Sequence, residues 1–301
     1  MRAVAGRGRW VWGVSGVVTA AVLAIPGARL ITSAGDTRHV QPQGTVTRTL
    51  TVTQPVTSLT VQSYGGPVQV TTGSSRRVRV TETLMYDKQA GGPPAVTEAV
   101  SGGHLMLADP ACSLSDCTVS FAVTVPPGVT VTAMTDGGPL TVTGTAGANL
   151  DSGGGPVTAT RIGGSLTVST GGGPLLLNGL AGPLHADTDG GPLTARGVDA
   201  VAATVSTDSG DAQIAFSAAP DAVTVTTIGG LAAVNEPGGP YALAADSGGG
   251  PESVGIATDP AAPRLITVSS GGGPLQIEPP MGGQPASPGP GGNLSASPGP
   301  G

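Results

Sequence analysis

Between Val40 and Val131, apolar and polar residues alternate in short runs bounded by glycine, proline or serine. Leu59-Thr60-Val61 and Val78-Arg79-Val80-Thr81 have the period of two that turns one face of a strand inward. The pattern predicts strands over 45–52, 57–62, 68–71, 77–84, 104–108, 118–125 and 129–133. Tyr64-Gly65-Gly66-Pro67 and Gly91-Gly92-Pro93-Pro94 read as turns, and Val125-Pro126-Pro127-Gly128 closes the section.

From Asp136 the alternation becomes a repeat. Gly-Gly turns begin at Gly137, Gly154, Gly172 and Gly190, spaced by 17, 18 and 18 residues. The next turn has drifted to Ser209-Gly210-Asp211, and the series resumes at Gly229, Gly249 and Gly272. Proline follows at Pro139, Pro156, Pro174, Pro192, Pro251 and Pro274. One short strand follows each turn and a second precedes the next, as in Leu140-Thr141-Val142-Thr143 and Leu166-Thr167-Val168-Ser169. Self-similarity near 18 to 20 residues with two strands per unit predicts stacked coils, an all-β fold of the β-solenoid type. Eight coils would rise about 38 Å at about 4.8 Å each. The inward positions are then Leu140, Val142, Val157, Ile162, Leu166, Val168, Leu175, Leu177, Leu184 and Leu193. Corner glycines would supply positive φ or close backbone approach. The prolines would open strands where no N–H is needed.

The chain therefore divides into a basic stretch (1–9), an apolar segment (10–31), a strand-rich N-terminal part of the repeat domain (40–135), the Gly-rich solenoid (136–278) and a tail (279–301). In the tail Ala-Ser-Pro-Gly-Pro-Gly occurs at 286–291 and 296–301, a linker-like, disordered composition.

Composition sharpens this picture. The 301 residues include 51 Gly and 28 Pro, a level that signals low complexity unless it is periodic, as most of it is here. Aromatics are 2%, too few for the ring-rich core of an ordinary sandwich. Net charge is −6, and from Gly35 onward nine basic residues face nineteen acidic ones. Such a body excludes nucleic acid and broad docking on anionic lipid, both of which require clustered Lys and Arg.

Residues 1–9 carry three arginines and no acid, and Trp10–Ile25 is uncharged and ends at Pro26-Gly27. That is the layout of a secretory signal. Extended to Ile31, with Arg29 at the outer interface, it is long enough for an uncleaved membrane anchor; cleavage after Ala34 is the alternative. Either way the arginines stay inside and the body is exported. The expected location is the cell membrane, single-pass, with a cytoplasmic N-terminus and an extracellular body. In that compartment Cys112 and Cys117 are expected to form a disulfide across a short loop, stabilising by roughly 2 kcal/mol.

Candidate chemistry is sparse. Asp151-Ser152-Gly153-Gly154 and Asp246-Ser247-Gly248-Gly249 spell the serine-protease nucleophile tetrad, but they recur at the repeat corner without a partnered histidine. Asp136, Asp151, Asp189, Asp208 and Asp246 could form a column for calcium, although Gly-Gly-x-Gly-x-Asp is absent; the plainer reading is that each bonds its own turn. His39, His104 and His185 lack metal spacing. Thr-x-Thr-like steps at 141–143, 158–160, 167–169, 204–206, 224–226 and 267–269 could order water on a flat face and bind ice, with His185 and Leu243 breaking the array. Outward threonine is equally the ordinary solvated strand residue. Arg161, Arg196 and Arg264 are too dispersed for a polysaccharide lyase. No catalytic, metal or cofactor site is expected, and no cofactor.

Val125-Pro126-Pro127-Gly128-Val129-Thr130-Val131, followed by Thr135-Asp136-Gly137-Gly138-Pro139-Leu140-Thr141-Val142-Thr143-Gly144, resembles the core of the putative-adhesin β-strand-repeat family of bacterial envelope proteins. The resemblance spans about 46–277. It implies one N-terminal anchor, a strand-rich lead-in and short β-repeats, and transfers no catalytic residues. The expectation is a non-enzymatic, membrane-anchored surface protein, an adhesin or an envelope binding or spacer protein. Its partners would be the membrane, through the N-terminal segment, and an envelope polymer or surface protein. An accessory or sensor protein of an envelope-stress system is the alternative, followed by a β-helix carbohydrate-active enzyme.

Overall fold

A computed structural model describes residues 43–90, 92–113 and 117–280. The proposed anchor, His39 and the tail repeats lie outside these residues. The first strands are β1 (Gln43–Val52), β2 (Ser58–Ser63), β3 (Val68–Thr72), β4 (Val78–Asp87), β5 (Thr97–Ser101), β6 (His104–Ala108), β7 (Cys117–Val125) and β8 (Thr130–Thr135). The repeat supplies β9 (Leu140–Thr143), β10 (Gly147–Ser152), β11 (Val157–Ile162), β12 (Leu166–Thr170), β13 (Leu175–Leu180), β14 (Leu184–Thr188), β15 (Leu193–Val198) and β16 (Ala202–Thr207). It continues with β17 (Ala212–Phe216), β18 (Ala222–Thr227), β19 (Ala232–Asn235), β20 (Ala242–Asp246), β21 (Glu252–Val254), β22 (Leu265–Ser269) and β23 (Leu275–Glu278). Strand β5 was not legible as a strand: its burial follows no clean alternation, because it is an edge strand.

The strands form two sheets. One runs β1-β4-β7-β3-β9-β11-β13-β15-β17-β19-β23-β21, and the other β20-β22-β18-β16-β14-β12-β10-β8-β2-β6-β5. Each coil places one strand in each sheet, and coils pair in parallel, as Leu140↔Val157↔Leu175↔Leu193 illustrates. Antiparallel pairing is confined to β1–β4–β7 and β5–β6 at one end. Inward side chains of both sheets merge into one continuous core, and all ten predicted inward residues are buried in it. This is the β-solenoid that the repeat predicts.

Both ends of the stack depart from chain order. The β2/β3 coil lies between β6/β7 and β8/β9, so a later segment covers it. At the other end β22/β23 inserts between β18/β19 and β20/β21. A parallel coil presents the same hydrogen-bonding edge as any other, so repeat similarity alone does not dictate which neighbours pair.

The corners explain the glycine content. Gly66, Gly138, Gly155, Gly173, Gly191, Gly210, Gly230, Gly273 and Gly250 form one column in spatial order. A Cβ on any of them from Gly138 onward would collide with the carbonyl oxygen of the glycine below, and on Gly66 with that of Val119. Gly210 keeps its place in this column, so the Ser209-Gly210-Asp211 turn has not drifted. Both expected demands on the corner glycines are met: Gly137, Gly229, Gly249 and Gly272 have positive φ, and close backbone approach is common to every coil.

Candidate binding surface

Three residues before each column glycine stands a hydroxyl: Ser63, Thr135, Ser152, Thr170, Thr188, Thr207, Thr227, Ser270 and Ser247, all buried. Thr135, Ser152, Thr188, Thr227, Ser270 and Ser247 donate to the carbonyls of Gly138, Gly155, Gly191, Gly230, Gly273 and Gly250 at 2.6–3.0 Å. Thr207 does the same to Gly210, and the Gly173 N–H donates to Thr170. Backbone groups at a dry corner require such partners. In the end coil the position is taken by Asp109, whose carboxylate accepts from the Tyr64 N–H at 2.9 Å and the Ser63 hydroxyl at 3.3 Å. Burial pushes the Asp109 carboxyl above its ordinary range. The two Asp-Ser-Gly-Gly tetrads thus supply corner hydroxyls: Ser152 is fully buried and bonded to Gly155. Neither serine is aimed outward as a nucleophile would be.

The proline of the corner has a clear role. Its carbonyl accepts the first N–H of the neighbouring coil, as from Leu140 to Pro156 and from Val157 to Pro174, both about 3 Å. Where proline is absent, Asp211 and Leu231 occupy the position, and the Asp211 carboxylate accepts the Leu231 N–H at 2.9 Å.

The five corner aspartates do not form one column. Register places Asp151 and Asp246 in an outward row with Ser169, Asp187, Ser206, Thr226 and Ser269. Asp136, Asp189 and Asp208 instead follow the buried hydroxyl, around the bend. Asp246 accepts from its own turn, at the Gly248 N–H, 2.9 Å. The threonine steps likewise divide. Thr141, Thr158 and Thr194 face outward on the first sheet, and Thr167, Thr204, Thr224 and Thr267 on the second. Leu243 does not interrupt the second array, because it packs against the core and Ala244 takes the outward place. His185 does stand in that row, between Thr167 and Thr204. His104 lies at the sheet end, its Nδ1 2.9 Å from the Ser58 hydroxyl. Arg264 is 3.9 Å from Asp221.

What emerges is a pair of flat outer faces ranked with polar side chains, most of them hydroxyls. On the second sheet one row reads Thr60, Thr132, Asn149, Thr167, His185, Thr204, Thr224, Thr267. Neighbours in such a row stand about 4.8 Å apart. On the first sheet Thr71, Thr143, Thr160, Asn178 and Arg196 are in register. Cys112 and Cys117 are disulfide-bonded as expected, with Cα atoms 5.2 Å apart, in the connection from β6 to β7.

Two buried glutamates escaped the sequence reading. Glu82 and Glu236 are almost fully buried, and none of their carboxylate oxygens has a hydrogen-bond partner. Burial, together with the nearby Glu98 carboxylate, raises Glu82 to about 7 against the pull of Arg48. Burial raises Glu236 to about 8. Beside it Tyr241, also buried, donates its hydroxyl to the Pro237 carbonyl at 3.1 Å and is pushed up to about 12 by burial and the Glu236 charge. Asn235-Glu236-Pro237 reads as a polar loop, so no sequence signal marked it. Among the described residues no cluster of three or more His, Cys, Asp or Glu is placed to hold a metal. No helix among them is long and apolar enough to cross a membrane.

No family model and no curated protein matches the chain. Solved structures do resemble it. One is described as a putative adhesin from Parabacteroides distasonis, 15% identical, covering 78% of this chain and 97% of that one, with a TM-score of 0.45. A putative adhesin from Bacteroides fragilis is 14% identical over 79% and 98%, with a TM-score of 0.42. A structure described as a putative lipid binding protein from P. distasonis is 12% identical over 77% and 96%, at 0.47. Structures described as putative adhesins are thus among those the chain is similar to.

Proposed function

We propose that the protein is a non-enzymatic surface protein of the cell envelope, anchored through residues 10–31, whose solenoid holds flat polar faces outward to bind an envelope polymer. The observation that carries this reading is the registered ranking of hydroxyl and amide side chains on both outer faces. A rank spaced by the strand repeat suits an extended polymer, which can bond many weak sites at once, and such contacts add by multivalency. The serines that spell a nucleophile motif face inward and are consumed by corner hydrogen bonds. The topology is tested by protease shaving of intact cells with mass mapping of released peptides. Release of peptides from 43–280 with retention of 1–31 in the membrane is expected. A body protected from protease in intact cells and digested only after lysis would overturn the reading.

A further inference from the structure

Of the eight cationic side chains between 43 and 280, three are Arg76, Arg77 and Arg79. Residues 136–280 carry thirteen acidic side chains against three basic ones, whereas residues 43–135 balance five against five, so the arginine cluster lies in the less acidic part of the stack. There, a cleft of about 490 Å³ opens on the outer face of the first sheet. Register places Arg79 between Thr51 on β1 and Thr124 on β7. The loop after β3 closes the end of the cleft with Ser74, Ser75 and Arg77. The Ser75 hydroxyl accepts the Arg77 N–H at 3.0 Å, fixing the loop. Gly73 keeps the floor open, because a Cβ there would lie 2.6 Å from the Thr124 methyl. Both guanidiniums are exposed, and among the described residues no carboxylate pairs with either. No acidic residue lines the cleft.

Two unpaired guanidinium forks converging over four hydroxyls match an oxyanion with oxygen-bearing neighbours. We propose that this cleft binds a carboxylate or phosphate group of an anionic envelope polymer, and so sets where that polymer is gripped. The inference rests on the polymer-binding reading above and names the charge class of its ligand. The acidic remainder of the body repels a polyanion, so attachment is local to this end and weakens as salt screens it.

The test compares binding of the full-length chain, in detergent micelles, to polygalacturonate, to polyglycerol phosphate and to neutral dextran. The same measurements are made on R77Q/R79Q, on each single variant and on R161Q, an exposed cation on β11, four strands away in the same sheet. The double variant is expected to lose at least about tenfold in affinity for one or both polyanions. R161Q is expected to bind as the parent does, with melting temperatures unchanged throughout. Preference between the two polyanions identifies carboxylate or phosphate as the source. Undiminished polyanion binding in the folded double variant overturns the cleft assignment. So does binding of dextran alone, which leaves polymer binding itself standing, whereas failure to bind all three overturns both. Loss of self-association in the double variant, without loss of polyanion binding, would mean that the arginines face a second copy and would also overturn it.

Discussion

Within each Gly-Gly pair at the corners the two positions are not equivalent. Gly172 has open space where a Cβ would go, while Gly173 is pressed on the Gly155 carbonyl. Gly172→Ala is therefore expected to change stability by less than about 0.5 kcal/mol, and Gly173→Ala to cost about 1–3 kcal/mol, by chemical denaturation. Equal effects would contradict the column. The hydroxyl beside it is comparably sensitive: Thr188→Val leaves the Gly191 carbonyl without its donor and should cost about 1–2 kcal/mol. Arg161 is the one described non-glycine residue with positive φ, at 54°, in register with Gly179. Arg161→Gly should stabilise by up to about 1 kcal/mol. The glycine pairs were plain in the sequence, but their meaning was not. The letters mark each pair as one unit, whereas physical necessity falls on its second glycine, three residues after Ser or Thr, and only register reveals it.

Among the elements, the terminal coils carry the information that periodicity could not. Strand β22 is interior and β20 is the edge, although β20 comes first in the chain. Amides of Ile266 and Val268 should exchange more slowly with deuterium than those of Ala242–Asp246; the reverse order would restore a sequential stack. Inward residues such as Leu166 and Leu175 were predictable because alternation reports burial directly. Strand β5 and the buried Glu236 were not, since neither an edge strand nor a polar residue sealed in by a returning coil leaves an alternating trace. Glu236 also makes the cap sensitive to pH. Its folded-state value near 8 lies above the ordinary 4.5, so folding favours the protonated carboxyl. That stability is complete below about 4.5 and is lost as pH rises toward 8; Glu82, near 7, acts in the same direction. The melting temperature should fall between pH 5 and pH 8.5. Glu236→Gln should raise it at pH 8.5 and leave it nearly unchanged at pH 5.

Taken whole, the molecule is a parallel stack whose charge and polarity are sorted. Five of the eight cations between 43 and 280 lie before the repeat, matched there by five acids, while the repeat itself is strongly anionic. Hydroxyls inside the corners hold the backbone, while those on the faces remain free for a ligand. The sequence made the stack legible because a period near 18 with two strands has few physical solutions. It made the binding face only partly legible, because threonine steps on two different sheets look alike in one dimension. A surface protein of this kind binds its polymer without turning it over. The decisive measurement incubates the full-length chain with envelope polysaccharide, then records both cosedimentation of protein with polymer and the polymer's length distribution. Saturable cosedimentation with an unchanged length distribution is predicted; shortening of the polymer, or no cosedimentation, would contradict it.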